Sequence, residues 1–210
     1  MSSAAIAPSG QTLTRPTLAD RFIPRSAVNN ALLIAGGTVV VGAFAQLQIP
    51  LWPVPVTGQT LAVMLVGATL GAWRGASALA LYMVAGLAGV PLFAGFAGGI
   101  ASVAKPDFGF IIGFVFAAAL IGWLSERNWD KRPVRSLLAF LGASIVPFVI
   151  GLPYLAFALG TLGLPNDVNS VLVAGFYPFI LGGIVKWAIA AALLPTAWKA
   201  VRALDARAKR

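Results

Sequence analysis

Cysteine and histidine are both missing from the 210 residues. Disulfides, thiolate nucleophiles and the commonest metal-ligating side chain are therefore excluded. Acid is scarce: Asp20, Asp107, Glu126, Asp130, Asp167 and Asp205 are the only acidic residues, spread singly along the chain. No HExxH and no Ser-His-Asp set occur, so we expect no enzyme activity, no metal and no cofactor. Charge of either sign is low, at 10% of residues against about 25% in a soluble domain. The segment AGFAGG, residues 94–99, lacks the Gly-Lys-Ser/Thr ending of a phosphate loop, which removes nucleotide binding. Internal repeats of the kind seen in inverted-repeat transporters are also lacking.

What is present is apolar. Hydrophobic residues make up 59% of the chain, with 23 glycines. That leaves too little polar surface for life in water, and the length suffices for several spans of ~20 residues. The apolar runs predict six transmembrane helices, at about Val28–Leu47, Gln59–Ala72, Gly75–Val90, Phe108–Ser125, Ser136–Gly160 and Gly182–Val201. The second is short for a span, so neighbours must shelter it or its boundary is off by a turn. A net charge of +9 suggests nucleic acid at first sight, but the basic residues flank apolar runs instead of forming one aromatic-laced stripe. The N-terminal segment MSSAAIAPSGQTLTRPTLADRF is polar and does not read as a cleaved signal.

Those basic residues orient the chain. Arg15, Arg21 and Arg25 precede the first helix, and Arg74 separates the second from the third. Arg127, Lys131, Arg132 and Arg135 lie between the fourth and fifth, and Lys199, Arg202, Arg207, Lys209 and Arg210 close the chain. Thirteen of the 15 thus fall on one side of six alternating spans, and the positive-inside rule makes that side cytoplasmic. Both termini are then cytoplasmic, as a tail at 1–27 and a basic tail at 202–210 around a six-helix domain at 28–201.

The three opposite connections, Gln48–Gly58, Pro91–Asp107 and Thr161–Leu181, contain no arginine and one lysine, Lys105. They are rich in proline, glycine and aromatics instead. An aromatic belt explains any one of them, and a shared pocket beneath all three explains the set. Lys186, inside GGIVKWAIAAALLP, is the other basic residue away from the basic side. Either it snorkels to the outer headgroups, or it faces the interior and binds an anion. Gly182 and Gly183 precede it and leave room for a ligand. Small residues also mark helix contacts: Ala31, Ala35, Gly36 and Gly37 on the first helix, and the pairs Gly67/Gly71 and Gly109/Gly113.

IPLWPVPVTGQTLAVML, LYMVAGLAGVPLFAGFAGG, KPDFGFIIGF and YPFILGGIVKWAIAAALLP, in this order, resemble the BioY family. BioY proteins are the biotin-binding S components of energy-coupling factor (ECF) transporters. The most specific element is I-P-x-x-P-V-P-x-T-x-Q-T in the first outer loop. The resemblance covers nearly the whole chain apart from its tails. It implies an all-α, six-helix S-component bundle with a biotin pocket near the outer face. It also implies that Thr57, Gln59, Tyr82, Phe93, Gly98, Gly99 and Lys186 match family site positions. Where the family carries P-G-D-x-x-K, this chain reads Leu181-Gly182-Gly183-Ile184-Val185-Lys186. The aspartate expected to help hold the ureido ring is replaced by Gly183, which leaves Asp107, Asn166 and Asp167 as candidates for that role.

Biotin offers a polar ureido head, an apolar ring and chain, and a carboxylate. Thr57 and Gln59 suit the head, Trp52, Tyr82, Phe93 and Phe96 an apolar wall, and Lys186 the tail. The expected function is biotin capture at the bacterial plasma membrane by the substrate-binding subunit of an ECF transporter. The expected partners are the lipid bilayer, a transmembrane coupling subunit docked on Ala31, Ala35, Gly36 and Gly37, and two cytoplasmic ATPases. An S component for another vitamin is the nearest alternative. A passive channel needs a polar stripe, and mid-span polar residues beyond Ser77 and Ser144 are few.

Overall fold

The computed structural model describes residues 17–208. Arg15, Lys209, Arg210 and most of the 1–27 tail lie outside the described residues, as do the last two residues of the 202–210 tail. Seven α-helices follow one another: α1 Ala27–Ala45, α2 Gln59–Leu70, α3 Ala72–Leu87, α4 Phe108–Glu126, α5 Pro133–Thr161, α6 Val168–Gly175 and α7 Tyr177–Ala208. A two-residue hairpin, β1 Gln48–Ile49 and β2 Val56–Thr57, pairs antiparallel between α1 and α2.

The extra helix lies in what the sequence reading took for the third outer loop. Asp167 caps α6, its carboxylate accepting from the Asn169 and Ser170 backbone N–H groups at 3.0 and 3.2 Å. That satisfies donors a helix start leaves orphaned. Pro178 then falls in the first turn of α7, where its missing N–H costs nothing, so α7 starts five residues before the expected Gly182. One residue, Phe176, breaks the line between α6 and α7, and six spans remain a fair description.

Apolar residues run all around α1, α4 and α5, as expected of helices without a water-facing side. Four stretches are long and apolar enough to cross a membrane: Ala27–Ala45, Phe108–Glu126, Pro133–Thr161 and Val168–Ala203. Large side chains such as Leu32, Val39, Phe116, Val149 and Phe157 stand exposed on the outside of the bundle, a surface suited to lipid. The 12 residues of α2 reach only roughly 18 Å. Eight of them are buried, so protein replaces lipid around this helix. Gly67 is what lets it in: a Cβ there would run into Ile121 and Ala118 of α4. Its expected partner, Gly71, does different work, turning the chain directly from α2 into α3 at φ +88°.

One end of the bundle gathers the basic segments. Arg74, in the first turn of α3, is buried and donates to the Asp20 carboxylate at 2.8 Å, to Thr17 Oγ1 at 3.1 Å and to the Leu70 carbonyl at 2.8 Å. Arg25 donates to the same carboxylate at 2.8 Å. Burial alone would raise the Asp20 carboxyl, but hydrogen bonds from Arg25, Thr17 and Arg74 outweigh it and hold it far below the usual carboxylate range. Glu126, ending α4, accepts from the Ala72 N–H at 2.9 Å and so caps α3. Nearby, the Trp198 indole of α7 donates to buried Asp130 of the α4–α5 connection. These contacts tie the α1 entry, the α2–α3 turn, the α4–α5 connection and the end of α7 together.

Candidate functional site

The opposite end opens into a cavity that is partly continuous with the outside. Its walls come from the hairpin (Val54, Pro55, Thr57), the first turns of α2 (Gln59, Thr60, Met64) and the start of α4 (Asp107, Phe110, Ile111, Phe114). The middle of α5 adds Ser144, Pro147 and Phe148, and the α6–α7 region adds Phe176, Phe179, Ile180, Gly183, Lys186 and Trp187. A mostly apolar wall with a few convergent polar groups is the usual build of a small-molecule site.

Lys186 turns inward. Its ammonium donates to the Thr57 carbonyl at 2.5 Å and to Thr60 Oγ1 at 3.0 Å, fastening α7 to the hairpin and α2. Because α7 starts early, Lys186 sits roughly 2.5 turns from the helix start, deeper than the single turn expected. An ammonium offers three donors, and two are spent on protein, which leaves one for the cavity. No carboxylate among the described residues lies within ion-pair distance of it.

Thr57 and Gln59 also line the cavity, and a short chain of hydrogen bonds fixes them. Thr57 Oγ1 donates to Gln59 Oε1 at 2.9 Å, and Gln59 Nε2 donates to the Tyr82 hydroxyl at 2.5 Å. Tyr82 is fully buried behind Gln59 and does not reach the cavity. Phe93 packs edge-on against the Tyr82 ring, centroids 5.4 Å apart, and it too is buried away from the lining. These two aromatics support the polar wall rather than form it.

Four other expected positions stand farther off. Phe96 and Trp52 are 70% and 71% exposed and do not line this cavity. Gly98 and Gly99 shape the second connection. A Cβ at Gly98 would press on the Val90 carbonyl, and the Gly99 N–H donates to the Gly86 carbonyl at 2.7 Å. Gln46 holds that connection in place, donating to the Phe93 carbonyl at 3.1 Å and accepting from the Phe96 N–H at 2.8 Å. On α1, Ala31, Ala35 and Gly36 face outward, but Gly37 is buried, a Cβ there meeting Ala78 at 3.0 Å. Gly37 therefore belongs to internal packing and leaves the outward small-residue face to the other three.

The apolar wall is built by residues the sequence reading did not single out. Phe110 contacts Phe148 edge-on at 5.8 Å and stacks on Phe179 at 6.2 Å, and Phe148 meets Phe176 at 5.2 Å. Aromatics were sought in the connections, whereas these rings sit on helices. The i, i+4 spacing of Phe110 and Phe114 was the available signal, and it placed them on one face.

Of the three acid or amide candidates, only Asp107 lines the cavity. Asp167 is exposed and occupied as the α6 cap, and Asn166 is exposed as well. Burial pushes the Asp107 carboxyl above the ordinary carboxylate value, with Lys105 pulling the other way.

Comparison with known proteins agrees with this architecture. The model of the BioY family matches residues 15–203. A biotin transporter BioY of Rhizobium etli is 36% identical over 169 residues, covering 77% of this chain and 87% of the relative. One of Rhodobacter capsulatus is 37% identical over 168 residues, covering 70% and 85%. A crystal structure of the S-component for biotin from an ECF-type ABC transporter superposes with a TM-score of 0.67, at 24% identity, covering 82% of this chain and 92% of that one. With a family match over nearly its whole length, this multi-pass membrane protein belongs to the BioY family.

Proposed function

We propose that this protein captures biotin at the outer face of the bacterial plasma membrane, as the substrate-binding subunit of an ECF transporter. The observation that carries the reading is Lys186: a cation turned into a largely apolar cavity, anchored by two hydrogen bonds to neutral oxygens and ion-paired with no carboxylate among the described residues. In an apolar surround such a charge attracts a carboxylate far more strongly than in water. The rings of Phe110, Phe148 and Phe179 suit a thioether ring and an aliphatic chain, and Thr57 and Gln59 suit an amide-like head.

In this reading the cavity end faces outward and the basic end faces the cytoplasm, with both tails, 1–27 and 202–210, on that inner side. The family implies that energy comes from two cytoplasmic ATPases through a transmembrane coupling subunit. The outward small-residue face Ala31, Ala35 and Gly36 is the docking surface for that subunit.

Isothermal titration of the detergent-solubilised protein with biotin tests the substrate directly. Saturable binding supports the reading, and its absence removes it. Gly183, where the family has an acid, favours one second reading, a different small vitamin. Competition by desthiobiotin against riboflavin and thiamine separates the two.

A further inference from the structure

We propose that Asp107 reads the head of the ligand: its carboxylate accepts the N–H donors of the cyclic urea, while Lys186 meets the acidic tail. This rests on biotin being the substrate and assigns the recognition of its polar end, for which position 183 offers no side chain.

The acids of the described structure sort cleanly. Asp20 and Glu126 are occupied at the basic end, Asp130 is buried there beside Trp198, and Asp167 caps α6. Asp107 is the acid left on the cavity wall. It sits at the N-terminal edge of α4, and no hydrogen bond from another residue reaches its carboxyl. A carboxylate half-withdrawn from water with only its own backbone N–H as donor is costly, and a ligand bringing N–H groups reduces that cost. Lys186 does not serve it, since the two groups form no ion pair. The cavity thus presents an acceptor on the α4 wall and a donor on the α7 wall. A molecule with N–H donors at one end and a carboxylate at the other fits that polarity in one direction only. The titratable groups within electrostatic reach of Asp107 are Lys105 on its own connection, Tyr82 of α3 and Tyr154 of α5, and Lys186 lines the same cavity.

The test uses the full chain in detergent, with and without Asp107→Asn, titrated with biotin and with 2-iminobiotin, whose head is a guanidinium at neutral pH. Asparagine keeps the shape, breaks no bond to another residue and removes a half-buried charge, so the thermal unfolding temperature is expected to be unchanged or raised. Biotin affinity is expected to fall roughly ten- to hundredfold, the worth of a hydrogen bond to a charged group. The unsubstituted chain is expected to accept 2-iminobiotin at neutral pH, and the substitution to weaken it more than biotin. Biotin affinity of the unsubstituted chain is also expected to decline on acidification before ordinary carboxylates titrate, and the Asp107→Asn profile to lack that step. Equal biotin affinity with and without the substitution overturns the assignment, and so does 2-iminobiotin binding only at high pH, where its head is neutral. If the unsubstituted chain binds no biotin, the functional reading falls and this one with it. If it binds biotin regardless of position 107, only this one falls.

Discussion

At the basic end Arg74 and Asp20 are 4% and 5% exposed and joined at 2.8 Å, whereas at the cavity end Lys186 and Asp107 are unpaired with each other. Both ends place charge out of water, a step that costs several kcal/mol per ion unless partners are supplied. The basic end supplies them from within the chain and so locks α1, α3 and α4 together. The cavity end withholds them, giving Lys186 only neutral acceptors and Asp107 no donor from another residue. Buried charge therefore has two meanings here. Where the protein completes the pairing it is structural, and where it stops short it leaves places for a ligand.

The largest expected effect lies at the basic end. Asp20→Ala strands Arg74 with neutral partners and is expected to cost about 3–5 kcal/mol of stability, read as a lowered unfolding temperature, while biotin affinity per folded molecule stays unchanged. The same carboxyl predicts acid sensitivity. Its folded pKa is depressed, so its contribution is complete above the unfolded value of about 3.9 and is lost as pH falls toward the folded one. An Asp20→Ala unfolding profile that keeps this acid loss would place its origin elsewhere.

Next comes Lys186→Ala, expected to weaken biotin binding by roughly 2–5 kcal/mol, as for one member of a buried charge pair. Calorimetry reads the loss, and unchanged affinity would break the contrast between the two ends. Gln59→Ala removes a wall residue and unties Tyr82, with an expected loss of about 1–3 kcal/mol in affinity from the unsatisfied partners. Phe96→Ala is the smallest: exposed and off the cavity, it is expected to change affinity and stability by less than about 0.5 kcal/mol. A larger loss would mean that the second connection closes over the ligand.

Legibility differed along the chain in the same way. The boundary of α4 was readable to within a residue, because an apolar run flanked by polar residues has few other fates in a membrane. The short α2 was readable as an anomaly, and packing against α4 through Gly67 explains it. Residues 168–181 were not readable, since Gly-Phe-Tyr-Pro punctuation suits a loop as well as a break between helices. The cap on Asp167 decided between them. Lys186 was legible as out of place, but its direction was not: snorkelling and inward-facing lysines share one sequence pattern. The aromatic candidates mixed wall residues with supports, because a ring's neighbours depend on which faces of α4, α5 and α7 meet.

By itself the sequence determined a helical membrane protein, which of its ends is basic, its family, and which single cation breaks the charge pattern. These depend on composition and order, and the bilayer enforces them on any chain of this kind. Only the tertiary structure decided that Tyr82 and Phe93 stand behind Gln59, that Gly37 faces inward, and that Asp107 rather than Asp167 borders the cavity. The reason is physical: burial and hydrogen bonding are properties of pairs of residues far apart in the chain, and packing alone chooses the pairs.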